Sequence, residues 1–435
     1  MKYWQKNMET MPKSDIEALQ LKRLKHIVNT VCKNVPFYKQ KFRSSGLHTN
    51  DIRSLQDISR IPTTQKADLK NNYPFGLFAV PMRDIIRLHT SSGTSGKPIV
   101  VGYTARDIET WSNLIARNLT MVGTDHDDIF QNAVNYGLFT GGLGIHFGIE
   151  KIGATAIPSG TGNTQHQLEM MIDFKVSALH CTPSYALYLT ETARELDLID
   201  RLSLRIGCFG AEPWSTSTRR ELEDTLGIKA YDSYGLSEMF GPGVGFECQE
   251  QNGLHIWDDH FLVEILDKDG ESVAPGEKGE LVLTSLTKEA MPLIRYRTGD
   301  ITMVLEDECP CGRTHTRLDK FLGRVDDMLI VRGINVFPSQ IESVLMDIRE
   351  VGDQFQVVID RKRNKLDEMH IKVELSEQTF TGELQDLKNL TLAVEEQLRS
   401  ILNLRTQVEL VERGTIPRTA GKARRIVDLR EQNSR

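Results

Sequence analysis

Between residues 85 and 285 the chain alternates short apolar runs with longer polar-periodic stretches, and no other feature constrains its fold as tightly. The runs DIFQNAV, ATAIPS, ALHCTPS, RIGCFGAE and KAYDSYG have strand length, while stretches such as 164–175 and 215–226 carry helical spacing. Repeated βα units of this kind bury their strands in a largely parallel sheet covered by helices, so the class is α/β. Upstream, Ile16, Leu19, Leu24, Ile27, Val28 and Val31 predict an amphipathic packing helix over 15–33. Residues 260–305 change character: FLVEILDKDGES, GEKGELVLTSL and RYRTGDITMVL, parted by turn residues, predict hairpins of a smaller antiparallel sheet. After residue 326 the order strand, helix, two strands, helix, strand describes a compact α+β domain. The expected organisation is a large domain over 1–325 and a small one over 326–435.

Several classes are excluded. Of the 435 residues, 39% are hydrophobic and 26% charged, which suits a globular chain and no disordered or fibrous one. The net charge of -7 offers no field to attract a phosphate backbone, so no nucleic-acid partner is expected. No uncharged apolar stretch approaches the roughly 18 to 20 residues of a membrane span, and an N-terminus with Trp4, Lys6 and Glu9 lacks a signal-peptide apolar region. These features predict a cytoplasmic protein with no membrane partner, monomeric or homodimeric.

Six cysteines are too sparse for a disulfide framework, but three of them cluster with a histidine. Cys248 and His255 are separated by six residues and Cys309 and Cys311 by one. Three thiolates and an imidazole match a closed tetrahedral Zn²⁺ site, and Cys-Pro-Cys-Gly-Arg is a tight turn able to aim two sulfurs inward. Reduced core cysteines are the alternative, since Cys32, Cys181 and Cys208 stand alone. Saturated ligation would make the zinc structural.

Ser91-Ser92-Gly93-Thr94-Ser95-Gly96-Lys97 follows the candidate strand DIIRLHT and packs hydroxyls, glycines and a lysine into one loop. Backbone N–H groups and hydroxyls there can surround a polyphosphate while Lys97 supplies charge. The Walker A spacing is absent, and a plain Gly/Ser turn is the alternative reading. Asn135-Tyr136-Gly137-Leu138-Phe139-Thr140-Gly141-Gly142 combines aromatics with glycines and could wall a flat slot for an aryl ring, with Tyr136, Phe139, Gly141 and Gly142 as the lining; the alternative is a buried loop facing the core. His146 and His180 read as structural.

Four further stretches stand in order: Asp232-Ser233-Tyr234-Gly235-Leu236-Ser237-Glu238, Tyr296-Arg297-Thr298-Gly299-Asp300, Gly323-Arg324-Val325-Asp326-Asp327 and Pro417-Arg418-Thr419-Ala420-Gly421-Lys422. With the Ser/Gly loop they resemble the motifs of the adenylate-forming superfamily. SSGTSGKPIVVGYT, NYGLFTGGLGIHFG, CTPSYAL, GAEPW, YDSYGLSEM and DDMLIVRGINVFPSQIE make the resemblance to phenylacetate-CoA ligases the nearest. The Ser/Gly loop departs from the family pattern in reading Thr-Ser-Gly, with Lys97 before the proline in place of the usual later lysine.

The resemblance implies an α/β adenylate-forming domain followed by a small mobile α+β domain hinged near Asp326. It also implies an ATP-, Mg²⁺- and CoA-dependent ligase that joins phenylacetate or a related arylacetate to CoA through acyl-AMP. By the same resemblance Tyr234 would stack on adenine with Asp232 accepting from its amine, beside Ser233, Gly235 and the wall Ala211-Glu212-Pro213. Asp300 would hold the ribose hydroxyls with Arg324 nearby; Ser237 would contact the α-phosphate, Glu238 would ligate Mg²⁺, and Lys422 would be catalytic. Taken singly each has a bland reading: Asp300 a turn residue, Tyr234 core, Glu238 and Arg324 surface charges, Lys422 part of a basic tail. Two rival functions remain, an adenylyltransferase of the coenzyme F390 synthetase type and a non-catalytic nucleotide-binding protein.

Overall fold

A computed structural model describes residues 2–91, 98–325, 329–331, 334–360, 367–376, 384–402, 404–417 and 425–429. The chain forms two compact units, one of residues 1–181, 200–211 and 229–320, the other of 182–199, 212–228 and 321–435.

The first unit opens with α1 (Lys6–Glu9), α2 (Lys13–Asn34), α3 (Pro36–Ser44) and α4 (Lys66–Asn71). α2 is the expected amphipathic helix, burying Ile16, Leu24, Ile27, Val28 and Val31. The hairpin β1 (Arg87–Thr90) and β2 (Val100–Tyr103) is antiparallel, so the Ser/Gly loop joins two strands and opens no helix. α5 (Ala105–Met121) follows, its first turn closed by a reciprocal cap between Thr104 and Asp107.

The expected strands form β3 (Ile129–Asn132), β4 (Thr155–Ile157), β5 (Ala178–Cys181), β6 (Ile206–Gly210) and β7 (Lys229–Leu236), with α6 (Thr140–Lys151) and α7 (Thr164–Asp173) between them. The sheet they build is larger and more mixed than expected. β8 (Gly241–Glu247) and β9 (Leu254–Ile256) extend it, and the pair β13 (Val304–Leu305) and β14 (Arg317–Leu318) completes its far edge. The order is β13-β14-β9-β8-β7-β6-β5-β3-β4, parallel from β4 to β7 and antiparallel from β7 outward. The reason is loop length: β7 reverses into β8 within a few residues, and only an antiparallel neighbour can be reached that way. As expected, β10 (Phe261–Leu266), β11 (Gly279–Ser285) and β12 (Tyr296–Thr302) form a separate antiparallel sheet. α5 and α6 pack closely enough that a Cβ on Gly148 would lie 1.9 Å from Ile115 Cγ2.

The N-terminal residues dock against the segment before β14. Arg313 and Glu9 form a buried ion pair at 2.8 Å, Tyr3 Oη donates to Cys311 O at 2.9 Å, and the His315 Nε2 meets Met8 O at 2.9 Å.

The second unit contains α8 (Pro183–Glu195), α9 (Thr216–Leu226), β15 (Gly323–Arg324) and the hairpin β16 (Leu329–Val331) and β17 (Ile334–Val336). Its C-terminal part follows the expected order: α10 (Pro338–Met346), β18 (Val351–Asp360), β19 (Glu368–Leu375), α11 (Leu384–Leu402), β20 (Gln407–Val411), then β21 (Ile426–Asp428). The sheet runs β20-β19-β18-β21, and Phe355, Val357, Ile359, Ile371 and Val373 meet Val394 and Leu398 of α11 in one core. Among the described residues no helix is long and apolar enough to cross a membrane.

Candidate active site and metal centre

Two strands from different sheets meet at the centre of the site. Tyr234, on β7, donates its hydroxyl to Asp300 Oδ2, on β12, at 2.5 Å. Asp300 is nearly buried, and its backbone N–H donates to Thr298 Oγ1 at 3.0 Å. On β7 the Asp232 N–H donates to Glu247 Oε2 at 2.8 Å and Ser233 Oγ donates to Phe209 O at 2.9 Å, so the Ser233 hydroxyl is turned toward β6. Gly235 is bare because β8 leaves no room: a Cβ there would lie 1.9 Å from Gly241 O.

Ser237 and Glu238 occupy the reversal between β7 and β8, both nearly buried. Ser237 Oγ hydrogen-bonds Thr140 Oγ1 at 3.0 Å, tying this turn to the start of α6. Lys288, fully buried, donates to Glu238 O at 3.3 Å and also to Met239 O. Burial pushes its ammonium down to about 7, opposed by the nearby carboxylates of Asp107 and Glu238. Sequence reasoning missed Lys288. The only signal was a lysine closing the otherwise uncharged run LVLTSLT, and lysine is ordinarily an exposed residue.

The remaining expected residues are distributed as follows. Ser91 closes the base of the Ser/Gly loop: its N–H donates to Ile99 O at 2.9 Å and its Oγ accepts from Ile99 N at 3.2 Å. Ser92, Gly93, Thr94, Ser95, Gly96 and Lys97, like Asp326 and Lys422, lie outside the described residues. Ala211, just past β6, is exposed at φ 71°, a left-handed backbone that a non-glycine residue seldom adopts and that tends to mark functional sites. In the second unit the Glu212 carboxylate accepts from Ser184 N at 2.7 Å at the start of α8, Pro213 is exposed, and Arg324 is half-buried on β15.

The aromatic loop is held by a chain of hydrogen bonds. Asn132 Nδ2 donates to Tyr136 Oη at 2.7 Å and to Gly142 O at 2.8 Å, while Tyr136 Oη meets His146 Nδ1 at 3.3 Å. Asn132 Oδ1 can only accept, so His180 Nδ1 carries the proton shared between them at 2.9 Å. Burial pushes the Tyr136 phenol up to about 12 and the His180 imidazole down to about 4. His180 is therefore neutral at physiological pH. The glycines serve the loop itself: a Cβ on Gly141 would lie 2.9 Å from the Phe139 ring and one on Gly142 2.6 Å from Asn135 O.

At the far edge of the nine-stranded sheet Cys248, His255, Cys309 and Cys311 converge, all buried, with their ligand atoms within 4.8 Å of one another. Cys248 Sγ lies 3.5 Å from Cys309 Sγ, and Cys311 Sγ lies 3.4 Å from His255 Nε2. A tetrahedron with metal–sulfur bonds of about 2.3 Å has edges near 3.8 Å, so the four atoms need move only slightly to enclose zinc. Gly312, at φ 73°, lets its N–H return to Cys309 O at 3.0 Å and closes the turn that presents both sulfurs. Hydrogen bonding to Cys248 and His255 holds the Cys311 thiol far below the usual thiol range, whereas Cys248 is pushed up.

Residues 18–287 match the AMP-binding enzyme family and residues 333–430 the AMP-binding enzyme C-terminal domain. The phenylacetate-coenzyme A ligase of Thermus thermophilus is 44% identical over 98% of this chain and 100% of its own length. That of Escherichia coli is 46% identical over 97% of each. The chain belongs to the phenylacetate-CoA ligase family of AMP-binding enzymes. Among solved structures, a 2-hydroxyisobutyryl-CoA ligase in the postadenylation state, in complex with R3-HIB-AMP, matches with a TM-score of 0.93 and 31% identity, covering 100% of this chain and 94% of that one. The adenylate-forming fold expected from the ordered motifs is thus the fold of this ligase family.

Proposed function

We propose that this chain is an ATP-dependent ligase that joins phenylacetate or a close arylacetate to CoA. The observation that carries the reading is identity of 44% and 46%, over nearly full length, to phenylacetate-coenzyme A ligases. In the first step an oxygen of the substrate carboxylate attacks the α-phosphorus of ATP, and pyrophosphate leaves. In the second the CoA thiolate attacks the acyl carbonyl, and AMP leaves with the bond electrons. Neither step needs a covalent enzyme intermediate, so the residues act by positioning and by balancing charge.

Asp300, braced by the Tyr234 hydroxyl, is assigned the ribose hydroxyls, and the Tyr234 ring the adenine, with Asp232, Ser233, Gly235 and the Ala211-Glu212-Pro213 segment around it. Arg324 is assigned to the ribose side, the loop from Ser91 to Lys97 to the phosphates, Ser237 to the α-phosphate and Lys422 to the reacting carboxylate and phosphate. Magnesium would be held by the Glu238 carboxylate, a hard oxygen donor, and would neutralise charge on the phosphate oxygens when bound. The aryl group is assigned to the loop bearing Tyr136, Phe139, Gly141 and Gly142. Zinc would be held by Cys248, His255, Cys309 and Cys311; four protein ligands leave no position for water, so its contribution is to folding. The domain after Asp326 is assigned the motion that exchanges the two half-reactions.

A carboxylate panel assayed for pyrophosphate release with ATP, with and without CoA, tests the reading. Phenylacetate should lead in kcat/KM, with AMP release dependent on CoA. A short-chain fatty acid outperforming phenylacetate, or AMP passing to a hydroxylated acceptor without thiol, would overturn it.

A further inference from the structure

The reversal between β7 and β8 carries Ser237 and Glu238, and within it the Met239 N–H donates to Leu236 O at 3.1 Å. Its carbonyls are gripped from elsewhere: Tyr103 Oη donates to Ser237 O at 3.3 Å, and Lys288 Nζ donates to Glu238 O at 3.3 Å and to Met239 O. Lys288 has no exposed surface; its ammonium sits over the rings of Tyr103 at 4.3 Å and Phe240 at 5.3 Å. Removing an ammonium from water costs several kcal/mol, which two carbonyls and two aromatic faces only partly offset. A packed apolar side chain of the same volume would serve stability as well or better. The backbone that follows the lysine is itself fixed: Asp107, in the first turn of α5, accepts from Glu289 N at 2.7 Å and Ala290 N at 2.9 Å.

We propose that Lys288 is a positioning residue for adenylation: by clamping the carbonyls of Glu238 and Met239 it sets the direction of the Glu238 carboxylate and Ser237 hydroxyl toward the phosphates. This rests on the assignment of those two side chains to magnesium and the α-phosphate. Lysine suits the role because one tetrahedral ammonium can serve two successive carbonyls, which a planar guanidinium in the same buried space cannot do without moving them. The effect belongs to the first half-reaction, because only there does a phosphoryl group carry developing charge that must meet an aligned cation and hydroxyl.

Lys288→Met in the full-length protein tests the proposal, read by thermal unfolding, by calorimetric affinity for MgATP and for metal-free ATP, and by the two half-reactions separately. A misdirected carboxylate should lower kcat for carboxylate-dependent ATP–pyrophosphate exchange about 100-fold with the folded state retained. MgATP affinity should fall while metal-free ATP affinity holds, and the conversion of supplied phenylacetyl-AMP to thioester should stay within about threefold. Lys288→Arg should not restore exchange. Folded Lys288→Met with normal exchange and normal MgATP affinity would overturn the proposal. If that variant does not fold, Lys288→Gln, which keeps a neutral donor, is put through the same measurements with the same criteria. Glu238→Gln separates the two levels: if it leaves the magnesium dependence unchanged, the assignment of Glu238 is wrong, whereas a magnesium effect in Glu238→Gln without one in the Lys288 variants discards Lys288 alone.

Discussion

The Tyr234 hydroxyl donates to the Asp300 carboxylate across 2.5 Å, and this bond links the nine-stranded sheet to the sheet of β10, β11 and β12 at the site proposed for the nucleotide. An ionised carboxylate has two oxygens, each able to accept, which suits it to the two hydroxyls of a ribose diol.

Asp300→Asn removes the charge that strengthens such bonds and should lower kcat/KM for ATP by about 10- to 100-fold, on the scale of 1.5 to 3 kcal/mol for a charged hydrogen bond. Tyr234→Phe, losing a brace and no direct contact with the sugar, should cost less, about fivefold. Pyrophosphate release against ATP concentration reads both; an effect on the acid's KM alone would contradict the assignment.

Protein purified without added metal should contain close to one zinc per chain by elemental analysis. Cys311→Ala should lose it and unfold at lower temperature, because zinc bound only by the folded state contributes its binding energy to folding. Folded, metal-free wild-type protein of undiminished stability would exclude the site.

Lys422→Ala should slow acyl-AMP formation by orders of magnitude while supplied acyl-AMP is still converted to thioester near the normal rate, since charge crowds at the phosphate only in the first step. Asp326→Pro fixes a backbone φ at the proposed hinge and should impair the exchange between the steps more than either alone. Rapid-quench measurement of each half-reaction distinguishes these outcomes from a uniform loss.

His180 makes stability depend on pH in a definite direction. Its pKa in the folded state, about 4, lies below the ordinary 6.5, so the unfolded chain binds the proton more readily. The contribution is complete above pH 6.5 and is lost as the pH falls toward 4, amounting to about 3 kcal/mol. Denaturant titrations at pH 7.5, 5.5 and 4.5 should show a flatter acid limb for His180→Gln than for the wild type; parallel limbs would assign the acid sensitivity to other groups.

The strands of the parallel half were legible because their apolar runs alternate with helical stretches, and the order of elements after residue 326 was legible for the same reason. The antiparallel half was not. β8 reads GPGVGFE, where glycines and a proline mask any period, and β13 and β14 are two residues each, too short to carry one. The cysteine–histidine cluster was legible because ligand chemistry survives in a bare sequence even when spacing is loose. Lys288 and the hydrogen-bond chain from His180 through Asn132 and Tyr136 to His146 were not, because each joins residues from separate elements and neither leaves a local pattern.

The docking of the first residues imposes an order on biosynthesis. Tyr3 finds its partner 308 positions downstream and Glu9 its partner 304 positions downstream. Trp4 and Gln5 can meet Asn113 and Arg117 once α5 has emerged, but Tyr3 and Glu9 wait until the cysteine turn and Arg313 have followed. Between those two points of translation, a tether or interacting protein acting on this segment therefore competes with only part of its native contacts. After residue 315 is released, the same intruder would have to displace a buried arginine–glutamate pair beside the cysteine–histidine cluster, so its effect should depend on when it arrives.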